Sequence, residues 1–287
     1  MIIAKTIHEL RNAIQAKKSQ GQSIGLVPTM GNLHEGHLSL ATHAKRQTEC
    51  VVTTIFVNET QFGANEDFDK YPRTEARDQK LLETVGNDIL FLPKSDELYP
   101  NGIPAHTDIS MPMLGHILCG ASRPHHFAGV ALIICKLFNC IQPDIAFFGE
   151  KDFQQLLVIK QLTQELLYPI EIQGVPIMRE QDGLAMSSRN QYLNQEQRSL
   201  ACQLFKTLQE GALQLKSGKL LLNREEFEAF TSQQQKILKE KGFTPDYFAI
   251  RNPNDLSIPK PTDKKLVLLI AAKLGSTRLI DNLSVDI

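Results

Sequence analysis

The chain has 287 residues, and at roughly 150 residues per domain this length predicts about two domains. Its content of 42% hydrophobic and 22% charged residues is typical of a folded globular protein, which disfavours the disordered and fibrous classes. Lys and Arg total 31 against 32 for Asp and Glu, so the net charge of −1 provides no general attraction to nucleic acid or to an anionic membrane. Any site for an anionic ligand is therefore local.

The sequence carries no signal for a membrane span or for export. Its longest apolar run, residues 266–272, is far shorter than the ~20 residues that cross a bilayer, and its first residues lack the pattern of a secretory leader. The five cysteines are odd in number, form no C-x-x-C pair and lie mostly in apolar stretches, as packed free thiols do. We expect a cytoplasmic protein without structural zinc or other protein ligands for a metal.

In the first part of the chain, predicted strands and helices alternate. Thr6 is predicted to cap the first helix, because apolar residues recur at helical spacing after it. Such alternation is typical of an α/β fold with a mainly parallel sheet flanked by helices. The other predicted elements are strands over residues 23–27, 50–57, 88–92, 144–148 and 170–175, and helices that end near residue 48 and cover residues 75–85, 129–142 and 153–166.

The last third of the chain has a different pattern, in which two helices with polar faces precede three strands. This order predicts a smaller α+β domain over residues 178–287, following an α/β domain over residues 1–177. The predicted helices cover residues 195–216 and 224–241, and the predicted strands cover residues 247–251, 266–271 and 277–282, the last two joined by a hairpin-like turn.

A turn with two histidines follows the first strand of the predicted sheet. In an open α/β sheet, ligands gather at the carboxyl ends of the strands, so this position favours a binding site. His34 and His37 are three residues apart, which places both at the start of a helix, where backbone N–H groups and the helix dipole attract phosphate. The structural alternative is that both only cap the helix or lie at the surface. The zinc motif H-E-x-x-H is excluded, because it requires histidines four residues apart.

Two more polar turns follow strands at the same predicted edge. Gln61 comes after the second sheet strand, and its carboxamide offers a donor and an acceptor to a polar substrate, or else satisfies loop backbone. Residues 149–155 leave a later strand and open a helix. Lys151 opposes the helix dipole in the first turn, which indicates a compensating anion. Asp152 and Gln155 could serve only as a capping pair.

Two further segments carry candidate ligand groups. Residues 186–190, Met-Ser-Ser-Arg-Asn, lie at the predicted domain junction, and their hydroxyls, amides and guanidinium suit pyrophosphate oxygens, with a helix cap as the alternative. Of two adjacent histidines, His126 is the one that we expect near a ligand. The glycine-rich dinucleotide motif, the P-loop and the G-x-S-x-G motif do not occur in the sequence. The phosphate-binding elements are thus of another kind.

The turn over residues 28–37, which contains His-Glu-Gly-His, resembles the HIGH motif of the nucleotidyltransferase superfamily. Residues 186–189 resemble its KMSKS partner. Longer strings over residues 56–62, 149–155 and 182–190 are similar to the pantoate–β-alanine ligase family. His-x-Gly-His alone is a weak signal, whereas four long strings in the right order are highly specific. The resemblance extends over nearly the whole chain.

This resemblance implies a homodimeric enzyme with a Rossmann-like N-terminal domain and a C-terminal lid domain. It implies that ATP and pantoate form pantoyl adenylate and pyrophosphate with Mg²⁺, after which β-alanine gives pantothenate and AMP. The implied catalytic residues are His37 as proton donor, His34, Lys151 and Arg189. Substrate would be held by Gln61, for pantoate and β-alanine, and by Gln155, for pantoate. His126 is predicted to bind substrate from its position before a helix rather than from the resemblance. The implied ATP site comprises Met30, Gly31, Asn32, Leu33, His34, Glu35, Gly36, His37, Gly149, Glu150, Lys151, Asp152, Met178, Met186, Ser187, Ser188 and Arg189.

The sequence departs from the family at Glu59, where the family usually has proline. Loss of a proline frees the backbone, so we expect a looser loop around Gln61. A carboxylate that attacks the α-phosphate is itself the nucleophile, so the reaction needs alignment and charge neutralisation rather than a base. We therefore hypothesise that His37 acts mainly as a hydrogen-bond donor.

Two other functions stay open from the residues alone. Another nucleotidyltransferase with the same turn would differ in the carboxylate or phosphate that triggers pyrophosphate release. A non-catalytic ATP sensor would bind ATP through the same turns, although Lys151 and Arg189 favour catalysis. A fragment related to aminoacyl-tRNA synthetases is disfavoured, because the net charge provides no basic RNA-binding face.

Overall fold

The chain divides into two compact units in a computed structural model, which describes residues 1–64, 66–218 and 224–287. Among these described residues, no helix is both long and apolar enough to cross a membrane. The first unit comprises Met1–Glu150 and Gln155–Pro176, and the second comprises Lys151–Gln154 and Ile177–Ile287.

The first unit contains a parallel sheet of six strands, counted over its described residues. The strands are β1 (Ile2–Ala4), β2 (Ile24–Thr29), β3 (Cys50–Ile55), β4 (Ile89–Phe91), β5 (Ile145–Gly149) and β6 (Glu171–Val175). Their order is β1-β4-β3-β2-β5-β6, and the register places Leu26 beside Val52 and Ala146. The strand order reverses between β2 and β5, which is the point at which such sheets bind ligands.

Helices flank this sheet and bury its apolar residues. They are α1 (Ile7–Lys18), α2 (Glu35–Gln47), α3 (Glu75–Thr84), α4 (Ser95–Leu98), α5 (Cys119–Ser122), α6 (His126–Ile141) and α7 (Phe153–Glu165). The predicted cap at Thr6 is present, because the Thr6 hydroxyl accepts the Glu9 N–H and the Glu9 carboxylate accepts the Thr6 N–H. Helix α1 packs against α6, and α2 packs against α3.

The second unit contains an antiparallel sheet in the order β7-β8-β9, with helices packed against it. Its elements are α8 (Gln195–Ala201), α9 (Gln203–Lys216), α10 (Arg224–Glu240), β7 (Thr244–Arg251), β8 (Lys265–Leu274) and β9 (Thr277–Asp286). Leu208, Phe230 and Leu268 are at most 4% exposed and belong to one apolar core. This core gives the unit its own source of stability.

The predicted fold class is confirmed, with a parallel sheet flanked by helices and a smaller α+β part. The prediction of one helix over residues 195–216 is wrong, because α8 and α9 meet at Cys202, whose N–H bonds to the Leu200 carbonyl. Apolar periodicity continues through this break without a Gly or Pro, so the sequence does not mark it. Strand β1 is not predicted either, since three residues carry too little periodicity.

Candidate active site

Three neighbouring strands of the first unit end at segments that the sequence singles out. Strand β2 ends at Thr29 before the histidine turn, β3 ends at Ile55 before Gln61, and β5 ends at Gly149. Because β3, β2 and β5 are adjacent and parallel, their carboxyl ends meet at one edge of the sheet. Within the first unit, the fold therefore brings the histidine turn, the Gln61 loop and Gly149 to the same edge of the sheet.

The histidine turn is held by a buried carboxylate. Gly31 and Asn32 have φ of +80° and +50°, so the turn passes through the left-handed region before α2. Asp78, on α3 and 0% exposed, accepts the Asn32 N–H at 2.8 Å and the Leu33 N–H at 2.9 Å. A Cβ on Gly31 would lie 3.2 Å from Asp78 Oδ2, which leaves little space for a side chain there. Two main-chain bonds thus fix the turn to α3.

The two histidine rings of the turn lie against each other at the start of α2, with their planes tilted by 38°. Their ring centroids are 4.1 Å apart, and His34 is the N-cap residue of the helix. His34 Nδ1 accepts the Gly36 N–H at 3.1 Å, and His37 Nδ1 accepts the His34 N–H at 3.4 Å. When Nδ1 of a neutral imidazole accepts a hydrogen bond, the proton is on Nε2. Both rings therefore carry an Nε2–H donor.

Gln61 lies beside this turn, on a 3-10 helix over Glu59–Gln61. Its Nε2 donates to Met30 Sδ at 3.2 Å, and its Oε1 accepts from Asn58 Nδ2 at 3.1 Å. These bonds set the direction of the carboxamide. The structure thereby brings Gln61 and the histidine turn into contact.

Asn58 ties the Gln61 loop to the rest of the first unit. Its side chain is buried, its Nδ2 also donates to the Gly129 carbonyl at 3.2 Å, and its Oδ1 accepts the Tyr99 hydroxyl at 2.7 Å. The Thr60 hydroxyl donates to the same Oδ1 at 3.0 Å. Burial raises the pKa of Tyr99, which keeps its hydroxyl a donor. Asn58 thus supplies through its side chain a restraint that a following proline would supply through its ring.

His126 contacts the main chain of Gln61. Its Nδ1 lies 2.8 Å from the Gln61 carbonyl oxygen, and its Nε2 lies 3.0 Å from Arg123 Nη1. Because a guanidinium only donates, His126 Nε2 accepts and Nδ1 donates to Gln61. Arg123 in turn donates from Nε and Nη2 to the two carboxylate oxygens of Glu66, each at 2.6 Å. Burial opposes ionisation of Glu66, but Arg123 outweighs it and lowers the pKa of this carboxyl.

The remaining candidates of the first unit lie at or just beyond the end of β5. Gly149 pairs with Val175 of β6, and Glu150 follows it, partly exposed. Gln155 is also partly exposed, in the first turn of α7. Their roles stay predictions.

In the second unit, Lys151 is held through its main chain. Its carbonyl accepts Asn282 Nδ2 at 3.0 Å, which links the lysine to β9. Its ammonium lies 3.7 Å from the Asp152 carboxylate, and the lysine side chain is 21% exposed. The bond to β9 thus fixes the main chain of Lys151, and the neighbouring carboxylate lies beside its ammonium.

The segment before residue 190 folds as a tight hairpin in the second unit. The Met186 N–H donates to the Met178 carbonyl at 2.9 Å, and Arg179 pairs with Ala185 in an antiparallel bridge. The Ser187 hydroxyl accepts the Arg189 N–H at 3.3 Å and caps the 3-10 helix Ser188–Tyr192. The structural alternative of a serine cap is thus present, and it engages the main chain of Arg189 rather than its guanidinium.

Several residues with a part in this architecture escape sequence reasoning. Asp78 holds the turn from 46 positions away, and Asn282 reaches Lys151 across 131 positions. No local pattern predicts such long-range bonds. The sequence does offer a signal for Asn58, because this polar residue lies in the same loop as Gln61. Arg123 also bonds to two candidate residues, His126 and Gln61, and Glu66 holds Arg123 in turn.

The sequence model of the family described as pantoate-beta-alanine ligase matches residues 2–284. The chain belongs to the pantoate–β-alanine ligase family. It is 51% identical over 287 residues to the pantothenate synthetase of Hahella chejuensis, with 100% of both chains covered. It is 50% identical over 287 residues to the pantothenate synthetase of Azotobacter vinelandii, again with 100% of both covered.

Solved structures of pantoate–β-alanine ligases share this fold. The pantothenate synthetase of Thermus thermophilus aligns with a TM-score of 0.90 and 39% identity, over 99% of each chain. The ligase of Francisella tularensis, solved with beta-gamma ATP and beta-alanine, aligns with a TM-score of 0.79 and 31% identity, over 99% of this chain and 97% of that one. The resemblance stated from the sequence motifs is therefore confirmed.

Proposed function

We propose that this ATP-dependent pantoate–β-alanine ligase binds the phosphates of ATP at the histidine turn, over residues 30–37. The adjacent rings of His34 and His37 carry this assignment, because both Nδ1 atoms accept main-chain N–H groups, which leaves the ring proton on Nε2 as a donor. The pair lies at the N-terminus of a helix of 13 residues, whose dipole adds to the attraction of an anion.

Pantoate would be held at the Gln61 carboxamide, with Gln155 as a second contact. Bonds to Met30 and Asn58 orient the Gln61 amide, so that a hydroxyl or carboxylate of the substrate meets an oriented polar group. Gln61 would also touch β-alanine in the second half-reaction. His126 would act on the substrate through Gln61, since it donates to the Gln61 carbonyl.

The second unit would contribute the cationic groups, Lys151 and Arg189. Together with the histidines they would offset the charge that develops on the α-phosphate and on pyrophosphate as the pantoate carboxylate attacks. This attack forms the bond between carboxylate oxygen and phosphorus and breaks the bond to pyrophosphate. We propose further residues of the ATP site in both units. They are Gly149 and Glu150 in the first unit, and Asp152, Met178, Met186, Ser187 and Ser188 in the second.

We propose that Mg²⁺ binds together with ATP and is not a resident metal of the protein. In the described ranges, no group of three or more His, Cys, Asp or Glu side chains is arranged to hold a metal ion. Mg²⁺ commonly keeps several waters and binds through phosphates and one or two carboxylates, which fits a chain with scattered carboxylates such as Asp152. When bound, it would neutralise phosphate charge.

Three further proposals follow from the family. We propose that the enzyme is a homodimer, which sedimentation velocity tests by the mass of the species in solution. We propose that residues 178–287 act as a lid domain over a substrate-binding domain of residues 1–177. A cytoplasmic location is proposed as well, and fractionation of cells that express the chain tests it.

The deciding experiment measures pyrophosphate and AMP release with ATP, Mg²⁺ and pantoate, with and without β-alanine. About one pyrophosphate per site without β-alanine, and continuous release with AMP when it is added, is the expected result for a retained adenylate. Folded, ATP-binding protein that releases no pyrophosphate would contradict the proposal and indicate an ATP sensor. Release that depends on a carboxylate other than pantoate would indicate another nucleotidyltransferase.

A further inference from the structure

A buried ion pair lies between the two candidate phosphate-binding segments of the second unit. Arg179 Nη1 donates to Asp281 Oδ2 at 2.7 Å, and Arg179 Nη2 donates to Asp281 Oδ1 at 2.9 Å. The Asp281 side chain is 2% exposed, and the Arg179 guanidinium stacks on the Phe205 ring with its Cζ 3.7 Å from the centroid. A guanidinium bonded along one edge and stacked on one face has little freedom to reorient.

Arg179 also fixes the hairpin that leads to Arg189. Its Nη1 donates to the Gly183 carbonyl at 3.0 Å, at the tip of the hairpin, where φ is +92°. The main chain of Arg179 pairs with Ala185, directly before Met186. Arg179 thus engages the tip of this hairpin through its side chain and the opposite strand through its main chain.

On the other side, the ion pair continues to Lys151. The Asn282 N–H donates to Asp281 Oδ1 at 2.7 Å, and the Asn282 carbonyl accepts Arg179 Nη2 at 3.2 Å. Asn282 is 4% exposed, and its Nδ2 donates to the Lys151 carbonyl at 3.0 Å. Two consecutive residues of β9 therefore connect the lysine with the hairpin.

We propose that Arg179, Asp281 and Asn282, called the β9 brace, are positioning residues that hold Lys151 and the segment Ser187–Arg189 at a fixed separation for the phosphates of ATP. This inference rests on the proposed ATP-binding role of Lys151 and Arg189. A buried ion pair is costly to desolvate, and apolar side chains could stabilise the fold as well. Its directional bonds, however, define distances between backbone segments, which apolar packing does less strictly.

The chain contains a matched control for this brace. Arg278 Nε donates to Asp246 Oδ2 at 2.7 Å, with side chains 17% and 19% exposed. This ion pair joins β9 to β7 of the same sheet. Asp246→Asn therefore removes a comparable ion pair without touching the bonds to Lys151 or to the hairpin.

The test compares Asp281→Asn, Asn282→Ala and Asp246→Asn in the two half-reactions of the full-length enzyme. Single-turnover pyrophosphate release with ATP, Mg²⁺ and pantoate reports adenylate formation. Conversion of added pantoyl adenylate by β-alanine reports the second half-reaction. We expect both brace variants to slow adenylate formation by at least about tenfold, because misplaced groups lose alignment with the α-phosphate. The second half-reaction and the control variant should change far less.

A purely structural role gives a different pattern. If the brace variants and Asp246→Asn slow both half-reactions alike, or if none slows adenylate formation, the proposal is overturned. Asn282→Ala retains the ion pair between Arg179 and Asp281, so this variant still tests the proposal if Asp281→Asn does not fold. Absence of pyrophosphate release from the wild type would instead refute the proposed function, and this inference with it.

Discussion

At the scale of single residues, the histidine turn is held by Asp78, a residue outside its own sequence. The carboxylate is fully buried and accepts two main-chain N–H groups of the turn and the Thr74 hydroxyl, the last at 3.0 Å. A carboxylate is suited to this position because it offers acceptors only. An amide in its place would direct a donor at one of the N–H groups.

Asp78→Asn is therefore expected to lower the rate of adenylate formation by about tenfold or more, and to cost about 1–3 kcal/mol in free energy of unfolding. Single-turnover pyrophosphate release and chemical denaturation measure the two effects. Thr74→Val is the matched control, since it removes the hydroxyl bond and keeps both main-chain bonds. An Asp78→Asn enzyme as fast as Thr74→Val would show that the turn does not need the carboxylate.

The structure also sharpens the hypothesis that His37 donates a hydrogen bond. Its Nδ1 accepts the His34 N–H, so Nε2–H is the ring group that can donate to a phosphate. His37→Gln retains an N–H donor of similar reach, and its adenylation rate is expected to stay within about tenfold of the wild type. His37→Phe, which retains the ring shape without a donor, should lose far more. Near-total loss in His37→Gln as well would indicate proton transfer or a cationic role.

At the scale of elements, the Gln61 loop is fastened by side chains of other segments. Asn58 and Tyr99 bond to each other, and α6 approaches so closely that a Cβ on Gly129 would lie 2.7 Å from the Gln61 N. At Gly129, the space between the helix and the loop admits a hydrogen atom but no side chain. Glu59, where the resemblance leads us to expect a proline, therefore lies in a loop that has other restraints.

Glu59→Pro tests whether those restraints are sufficient. Asn58 has φ of −82° and ψ of 107°, an extended conformation that a residue before proline favours, and Glu59 is the first residue of the 3-10 helix. We expect a stabilisation of about 0.4–1 kcal/mol, through the unfolded chain, and an unchanged KM for pantoate. Thermal unfolding and steady-state kinetics measure the two quantities. A severalfold decrease in that KM would mean that the natural loop is loose, as the sequence alone suggests.

At the scale of the whole molecule, all five cysteines are free and buried. Burial, with a smaller contribution from Asp88, raises the pKa of Cys50 to about 11, and burial also raises the pKa of Cys135 and Cys140. Since the thiolate is the reactive form, these three thiols are poor nucleophiles at neutral pH.

Iodoacetamide at pH 8 is therefore expected to leave Cys50, Cys135 and Cys140 of the native protein unmodified over minutes. In guanidinium chloride, where the pKa returns to about 8.5, all five cysteines should react. Mass spectrometry of tryptic peptides counts the labels at each position. Rapid labelling of Cys50 in the folded protein would contradict its burial.

Much of the fold could be predicted from local sequence patterns, and the reason is physical. Caps, apolar periodicity and strand composition are properties of neighbouring residues, so the helix after Thr6 and the alternation of strands and helices were predictable. The bonds of Asp78 and Asn282 were not predictable, because they join residues far apart in the sequence, and no Gly or Pro marks the break at Cys202. Of the candidate site, the residue types were predictable from motifs, whereas the side chains that hold them were not.

The assignment of Lys151–Gln154 to the second unit has a consequence at the level of the gene. The chain passes between the units after Glu150, after Gln154 and after Pro176. A chimaera with a relative that replaced only the residues after Pro176 would combine Lys151 of one parent with β9 of the other. Recombination that exchanges the second unit alone, and takes Lys151 and Asn282 from the same parent, has to exchange two separate stretches of coding sequence together.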